Sequence, residues 1–162
     1  MTEQDARSLW NLRLHALETV PEAFGESAQE HQQTPVEKYA ERLRSTANES
    51  AVIGAFEESA LVGMIGLYRD QRAKRRHKGW IWGMFVEERY RGTGLGRALL
   101  EEAISTARNM LGLRCVLLSV TGSQESARRL YLSAGFRPYG IEPQALKVDD
   151  RYLDEEHMIM EI

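Results

Sequence analysis

The residues best suited to chemistry form one glycine-rich segment, R-G-T-G-L-G-R, at residues 91–97. Its glycines allow a tight turn and let a ligand approach the main chain closely. A helical pattern follows at once, and the free N–H groups and the dipole at a helix start both favour an anion. Arg91 and Arg97 add positive charge. The segment therefore predicts a phosphate site at the N-terminus of a helix.

Two common phosphate-binding motifs do not fit this segment. A dinucleotide fingerprint, G-x-G-x-x-G, that began at Gly92 would need its third glycine at position 97, where the chain has Arg97. A P-loop would need Gly-Lys followed by Ser or Thr, which the segment lacks. A nucleotide-dependent oxidoreductase is therefore disfavoured. An ordinary glycine turn without a ligand stays open at this point.

A strand before the segment and a long helix after it must position the glycines. Residues 80–86 are apolar and aromatic, which predicts a mostly buried strand. Apolar residues then recur at helical spacing, at Leu95, Leu99, Ala103, Ala107 and Leu111. Gly112 is placed to end this helix. A strand at residues 113–120 completes a βαβ unit, which predicts two parallel strands with a right-handed crossover.

Before this unit, the chain predicts two helices and a hairpin. Amphipathic spacing predicts a helix over residues 3–20, and Pro35 is suited to open a second helix that runs to about Ser45. Residues 51–56 and 61–68 predict an antiparallel hairpin, and the two glycines in its second strand indicate bulges.

After the unit, the chain predicts one more helix and a last hairpin. Thr121-x-x-Gln124 predicts a capping box at the start of this helix, and Gly135 is placed to end it. Residues 144–149 and 156–162 predict two strands around a polar turn.

Composition is that of an ordinary globular protein, with 162 residues, 43% hydrophobic and 28% charged. The net charge of −3 gives no support for nucleic-acid binding, and no apolar run reaches membrane-span length. A single cysteine, Cys115, excludes an internal disulfide framework or a cysteine-based zinc site. The polar N-terminus does not resemble a signal peptide. We therefore expect a cytoplasmic protein with no metal, membrane or nucleic-acid partner.

Two motifs together resemble the GNAT acetyltransferase superfamily. The pyrophosphate loop of that family, [QR]-x-x-G-x-[GA], is matched by Arg91, Gly94 and Gly96. A second family pattern, N-x-x-A-x-x-L-Y-x-x-x-G-F, is matched at Ala127, Leu130, Tyr131, Gly135 and Phe136. The resemblance covers roughly residues 3–162. It implies one α/β (α+β) domain over residues 1–162, with a central mixed, mostly antiparallel sheet, one parallel βαβ pair and helices on both faces.

The chain departs from the family pattern in three ways. The strand that usually precedes the first family helix is short or missing. Gln124 stands where asparagine is common, so its expected contact with pantetheine differs by one methylene. Ser119 stands where acetyltransferases of protein N-termini often carry glutamate, which weakens an assignment to that group.

The resemblance implies direct acetyl transfer from acetyl-CoA to a primary amine of a small molecule or peptide, by a monomer or a homodimer. It implies Tyr131 as proton donor to the leaving thiolate. The residues implied in cofactor binding are Met84, Phe85, Val86, Arg91, Gly92, Thr93, Gly94, Leu95, Gly96, Arg97 and Gln124. His77, Glu142, Glu155 or water could remove the amine proton. The alternative is a non-catalytic acyl-CoA sensor with the same fold.

A basic connection at residues 69–79, R-D-Q-R-A-K-R-R-H-K-G, leads into the central strand. Such charge clusters are often only solvated surface. Alternatively, the cations give the acceptor side a positive potential, which predicts either a small amine that bears an acidic group or an acidic peptide as acceptor, and not a polyamine.

Overall fold

A six-stranded sheet runs through the molecule in the order β1-β2-β3-β4-β6-β5. The computed structural model describes residues 1–44 and 48–162, so the predicted helix end at Ser45 lies outside the described residues. The strands are β1 (Ser50–Glu57), β2 (Ala60–Arg69), β3 (Lys78–Val86), β4 (Cys115–Thr121), β5 (Arg137–Val148) and β6 (Arg151–Glu161). β3 and β4 are parallel, and the other described neighbours are antiparallel. This confirms the predicted mixed sheet.

Helices cover both faces of this sheet, as predicted. They are α1 (Ala6–Thr19), α2 (Ala28–Gln33), α3 (Val36–Leu43), α4 (Leu95–Asn109) and α5 (Glu125–Ser133). On one face, Leu9 of α1 and Tyr39 of α3 pack with Met64 and Phe85 of the sheet. On the other face, Leu100 of α4 and the partly buried residues of α5 pack with the opposite side of the same strands. None of the helices in the described ranges is long and apolar enough to cross a membrane.

At the N-terminal end the first family strand is expected to be short or missing. Within the described residues, no strand precedes α1. The amino group of Met1 instead donates a hydrogen bond to the Val52 carbonyl oxygen on the edge strand β1, at 3.1 Å. α2 was not predicted, although Ser27 and Glu30 form a capping box at its start.

The helix after the glycine turn ends earlier than predicted. α4 stops at Asn109, and Leu111 is 83% exposed, so Leu111 does not belong to the buried stripe. Polar side chains hold the backbone beyond the helix: the Leu111 N–H donates to Asn48 Oδ1, and the Leu111 carbonyl accepts from Arg69 Nη2. These contacts favour a turn over another helical residue.

The capping box predicted at α5 does not form. Gln124 occupies the N-cap position, and no side-chain hydrogen bond caps the helix. Thr121 is the last residue of β4, and its hydroxyl donates to the Glu22 carbonyl oxygen at 2.9 Å. Thr121 therefore belongs to the strand, three residues before the N-cap, so its hydroxyl does not occupy the capping position.

The final hairpin is longer than predicted. β5 begins at Arg137, seven residues before the expected start at residue 144. The first eight residues of β5 are exposed, so no alternation of buried and exposed residues marks its beginning. The hairpin register also shifts between Glu142 and Leu146, which interrupts the alternation that marks a strand.

Candidate active site

The site begins where the two parallel strands separate. β3 pairs with β4 only from Lys78 to Trp80, against Cys115 to Leu117. Beyond Trp80, no residue of β3 pairs with a residue of β4 in the described structure. The N–H and C=O groups of residues 81–86 that face β4 therefore have no strand partner. An open strand edge inside a sheet can accept an extended ligand as an additional strand.

A bulge in β3 lies at this separation. Trp82 pairs with Gly66 and Phe85 pairs with Met64 of β2, so two residues of β3, Gly83 and Met84, stand opposite a single residue of β2. Gly83 has φ +63°, a conformation that glycine adopts without strain. The two glycines of β2 predicted bulges: beside Gly63 the extra residue lies on β2, in its pairing with β1, whereas beside Gly66 the extra residue lies on β3.

The glycine turn closes one end of a cleft of 710 Å³. Gly92 and Gly94 have φ values of +76° and +92°. A Cβ atom added to either residue would meet no atom within 4 Å, so their backbone faces open space. The turn leads directly into α4, a helix of 15 residues. This arrangement fits a diphosphate, because backbone N–H groups and the helix dipole both point at the open space.

Both arginines of the turn line this cleft. Arg91 Nε donates to the Val86 carbonyl oxygen at 3.0 Å, which holds the turn against the end of β3. Arg97 Nη2 donates to Ser133 Oγ at 2.8 Å, and its Nη1 lies 3.4 Å from a Glu101 oxygen. Arg97 is half exposed, so its guanidinium can reach a ligand in the cleft.

Most of the other predicted cofactor residues also line the cleft, namely Met84, Phe85, Val86, Gly96 and Gln124. Thr93 and Leu95 do not line it. The Thr93 hydroxyl donates to the Tyr90 carbonyl oxygen within the turn, and Leu95 packs against the buried cluster under α4. Any contact of these two residues with a ligand would therefore be made by their backbone.

Tyr131 lies at the inner end of the cleft and is 6% exposed. Its hydroxyl donates to Met84 Sδ at 3.3 Å, a weak acceptor that a better one can replace. Burial raises the pKa of Tyr131 well above its ordinary value, so the phenol keeps its proton at neutral pH. Tyr131 and Ser119 both line a small chamber of 80 Å³ between the separating strands, called the chamber below.

A polar cluster joins the three last strands of the sheet beside this chamber. Ser119 Oγ lies 2.8 Å from His157 Nδ1, and His157 Nε2 lies 3.1 Å from Glu142 Oε2. Glu155 is on the same face of β6, two residues before His157. Burial raises the pKa of Glu155, with a smaller upward contribution from Glu142, while His157 and Ser119 lower it. A carboxylate of raised pKa is a better proton acceptor near neutral pH.

The structure separates the three proposed bases. Glu142 and Glu155 belong to this cluster, whereas His77 lies just before β3, at the opposite end of the strand from the bulge. Six residues of extended chain separate His77 from Gly83, about 20 Å. His77 is therefore not placed to act on a group in the chamber.

Sequence reasoning missed the place of His157 in the site, and that of the turn at Pro21–Ala23, which forms a short 3₁₀ helix. His157 was assigned only to a strand, and no local pattern links it to Ser119, 38 residues away. Ala23 and Phe24 line both the cleft and the chamber. The aromatic Phe24 beside a proline turn was the one available signal for this contact.

Comparison with known proteins gives a family. A family model described as "Acetyltransferase (GNAT) family" matches residues 11–136. A spermine/spermidine N(1)-acetyltransferase of Bacillus subtilis (strain 168) is 31% identical over 88 residues, which are 52% of this chain and 58% of that protein. A putative phosphinothricin acetyltransferase, YwnH, of the same strain is 31% identical over 71 residues, or 44% of this chain and 43% of that protein. The chain thus spans about half the length of the curated relatives it matches.

Solved structures share the whole fold. A GNAT superfamily phosphinothricin acetyltransferase of Sinorhizobium meliloti, crystallised in complex with acetyl-CoA, aligns with a TM-score of 0.84 at 21% identity. The alignment covers 100% of this chain and 85% of that chain. This likeness confirms the predicted fold.

Proposed function

The chain belongs to the acetyltransferase (GNAT) family, and we propose that residues 1–162 act as one domain that transfers the acetyl group of acetyl-CoA directly to a primary amine of a small molecule or peptide. The observation that carries this proposal is the separation of β3 and β4 beside the glycine turn. This separation joins an anion site, an open strand edge and a buried tyrosine hydroxyl in one cleft.

Acetyl-CoA is the acyl donor of this family, and the Sinorhizobium meliloti structure contains it, which confirms the predicted cofactor. When bound, it supplies an acetyl group activated as a thioester. Gly92, Gly94 and the first turn of α4 would hold its pyrophosphate, assisted by Arg97. The open edge of residues 84–86 would pair with its pantetheine arm, and Gln124 faces the same cleft.

Tyr131 is our proposed proton donor. Its hydroxyl lies at the inner end of the cleft, stays protonated because of burial, and contacts only a weak acceptor on Met84 among the described residues. The thiolate that leaves after acetyl transfer needs a proton, and a neutral phenol can supply one. The alternative is that Tyr131 serves only to pack the core, because the centroids of the Tyr131 and Phe136 rings lie 6.0 Å apart.

Glu155 is our proposed proton acceptor. A primary amine is mostly protonated at neutral pH, so it must lose a proton before it can attack the thioester. Glu155 combines a raised pKa with a place on the face of β6 that meets Ser119 and His157. Ser119 lines the chamber and interacts with Glu155, so it can relay the proton from the amine to Glu155, while His157 links the same serine to Glu142 at the surface.

The remaining parts of the proposal concern location and assembly. A single buried cysteine fits a cytoplasmic location, where disulfides are rare. The net charge of −3 favours a small-molecule or peptide partner over nucleic acid. A monomer and a homodimer both fit the proposal.

The test is acetyl transfer from acetyl-CoA to a panel of amino acids, peptides and polyamines. The reaction is monitored by the release of the CoA thiol, and the product is identified by its mass. We expect a product whose mass is raised by one acetyl group for at least one amine. Tight acetyl-CoA binding without transfer to any amine would instead support the non-catalytic sensor. Binding is measured separately by calorimetry, so loss of binding and loss of transfer can be told apart.

A further inference from the structure

We propose that the acceptor is a small primary amine that carries a carboxylate, which Arg13 and Arg42 bind in a second cavity beside the chamber. This inference rests on the proposed acetyl transfer and names the class of acceptor. The cavity measures 460 Å³ and lies between α1, α3 and strands β1 to β3. Trp82 lines both this cavity and the chamber, so the two spaces adjoin. We call the second space the arginine cavity.

Arg13 is a buried cation with a spare donor. It is 7% exposed, and its Nη2 lies 3.2 Å from Glu26 Oε2. Its Nη1 is buried and has no hydrogen-bond partner among the described residues. Burial lowers the pKa of Arg13, whereas Glu26 raises it. A buried N–H group without a partner is costly, so a ligand atom that accepts from Nη1 would offset that cost.

The spare nitrogen of Arg13 points towards the reacting end of the site. Nη1 lies 3.6 Å from the position that a Cβ atom on Gly83 would occupy. Gly83 belongs to the bulge where β3 leaves β4, and it lines the chamber. A carboxylate bound at Nη1 would therefore hold an amine of the same small molecule close to the chamber that Tyr131 lines.

Arg42 is held at the same cavity without a carboxylate partner. Its guanidinium carbon lies 4.6 Å from the centre of the Trp82 ring and 5.2 Å from that of Tyr39. In the part of the chain that the structure describes, no carboxylate oxygen lies within 4.0 Å of its nitrogens. Stacking on two aromatic rings orders the guanidinium while leaving its N–H groups free for an anion.

The carboxylates of the cavity are already neutralised. Glu26 pairs with Arg13, while Glu49 accepts from Gln71 Nε2 at 2.9 Å and also pairs with Arg76. Arg42 and the buried Arg69 thus leave a positive excess on the cavity wall. Like charges at a binding site lower affinity, so this excess disfavours a polyamine and favours an acid.

The basic connection contributes less than its composition indicates. Arg75 pairs with Asp70 at 2.8 Å and Arg76 with Glu49, so two of its cations are partly neutralised at the surface. Arg69 and Gln71 from the connection do line the arginine cavity. The expectation of an acidic acceptor therefore now depends on Arg13 and Arg42 and not on the exposed cations.

The experiment compares amines of the same carbon skeleton with and without the carboxylate, with kcat/KM expressed per neutral amine because the amine pKa also changes along each series. Leucine, leucinamide and isopentylamine form one series, phenylalanine, phenylalaninamide and phenethylamine a second, and dipeptides and spermidine complete the panel. We expect kcat/KM to be at least about tenfold higher for the best carboxylate than for its carboxamide, as for a hydrogen bond between charged groups. Arg42→Glu should abolish this preference by lowering kcat/KM for the carboxylate more than for its carboxamide.

Arg7→Glu is the matched control, because it changes the charge by the same amount as Arg42→Glu. Arg7 is exposed on α1 and does not line the cavity. It should leave the preference intact. Arg13→Lys keeps a cation beside Glu26 but removes the planar pair of donors, so it should raise KM for the carboxylate with little change in kcat. Melting temperatures of all variants show whether they fold.

Equal rates for acid and carboxamide, a preference for spermidine, or an Arg42→Glu variant that behaves like the parent would each overturn the inference. Calorimetry of the same acids, with the protein saturated by CoA, supplies a second readout. If no amine is acetylated, the proposed function fails, yet binding of an acid that Arg42→Glu abolishes would still support the carboxylate site. If no acid binds and none is acetylated, the carboxylate site is wrong.

Discussion

The cofactor cleft and the arginine cavity lie on two sides of the same chamber and are built from different groups. The cleft presents backbone: an open strand edge and glycines that face empty space. The cavity presents charged side chains, whose carboxylates are paired and whose arginines keep spare donors. The first site should therefore respond to substitutions that change backbone conformation, and the second to substitutions that change charge.

The largest effect is expected at Tyr131, where the two sites meet. Tyr131→Phe removes one hydroxyl from a buried side chain, so kcat should fall by about 10²–10⁴-fold, as for general acid catalysis, while CoA affinity stays within about twofold. Steady-state kinetics and calorimetry measure the two quantities. Tyr39→Phe is the control, since Tyr39 is also buried but its hydroxyl contacts His31 Nδ1 outside the cleft. A loss of less than about threefold would assign Tyr131 to core packing alone.

Gly94→Val tests whether the cleft depends on backbone conformation. Gly94 has φ +92°, which a β-branched residue adopts only with strain, and the new side chain would enter the open space of the turn. CoA affinity should fall by about 10–100-fold. Gly112→Val is matched, because Gly112 has φ +79° and equally open surroundings but lies beyond α4. If both variants bind CoA as tightly as the parent, the phosphate site has been misplaced.

Glu155→Gln tests the proton acceptor through the pH profile. Only the ionised carboxylate can accept a proton, and burial raises its pKa, so kcat/KM of the parent should decline with falling pH at values above the ordinary glutamate pKa of about 4.3. In Glu155→Gln, kcat/KM at neutral pH should be about tenfold lower and this decline should disappear. Glu161→Gln changes an exposed carboxylate on the same strand and should keep the parent profile. An unchanged profile in Glu155→Gln would overturn its assignment and point to Glu142 or water as the acceptor.

Gly66→Ala should have the smallest effect on activity. Because it displaces Trp82, it tests whether acceptor binding can be weakened without weakening CoA binding. A Cβ atom on Gly66 would lie 2.0 Å from Trp82 Cε2, so the ring must move. We expect the free energy of unfolding to fall by about 1–3 kcal/mol in a denaturant titration. Acceptor KM should rise severalfold, while CoA affinity stays close to that of the parent. Gly140→Ala has open space around the new methyl group and should change neither quantity. A larger loss for CoA than for the acceptor would contradict the assignment of Trp82 to the arginine cavity.

The βαβ unit, the glycine turn and the buried tyrosine could all be predicted from the amino-acid sequence. These features depend on residues close together in the chain: alternating or helical apolar spacing, a glycine where φ is positive, and a tyrosine on one stripe of α5. The boundaries were less certain. The predicted start of β5 was seven residues too late, because the exposed first part of the strand shows no alternation. Helix α2 was not predicted because it has only six residues.

The contacts between charged and polar groups could not be predicted from the sequence, because they depend on how distant elements pack together. Ser119 and His157 face each other because β4 pairs with β6 in one register, and a shift of one residue would point them to opposite faces. Arg13 reaches the β3 bulge because α1 packs across the sheet with this residue on its buried face. Periodicity records which face of an element is buried, but not which distant residue lies opposite. The acceptor side depends on such long-range pairs, so its residues could be identified only from the folded structure.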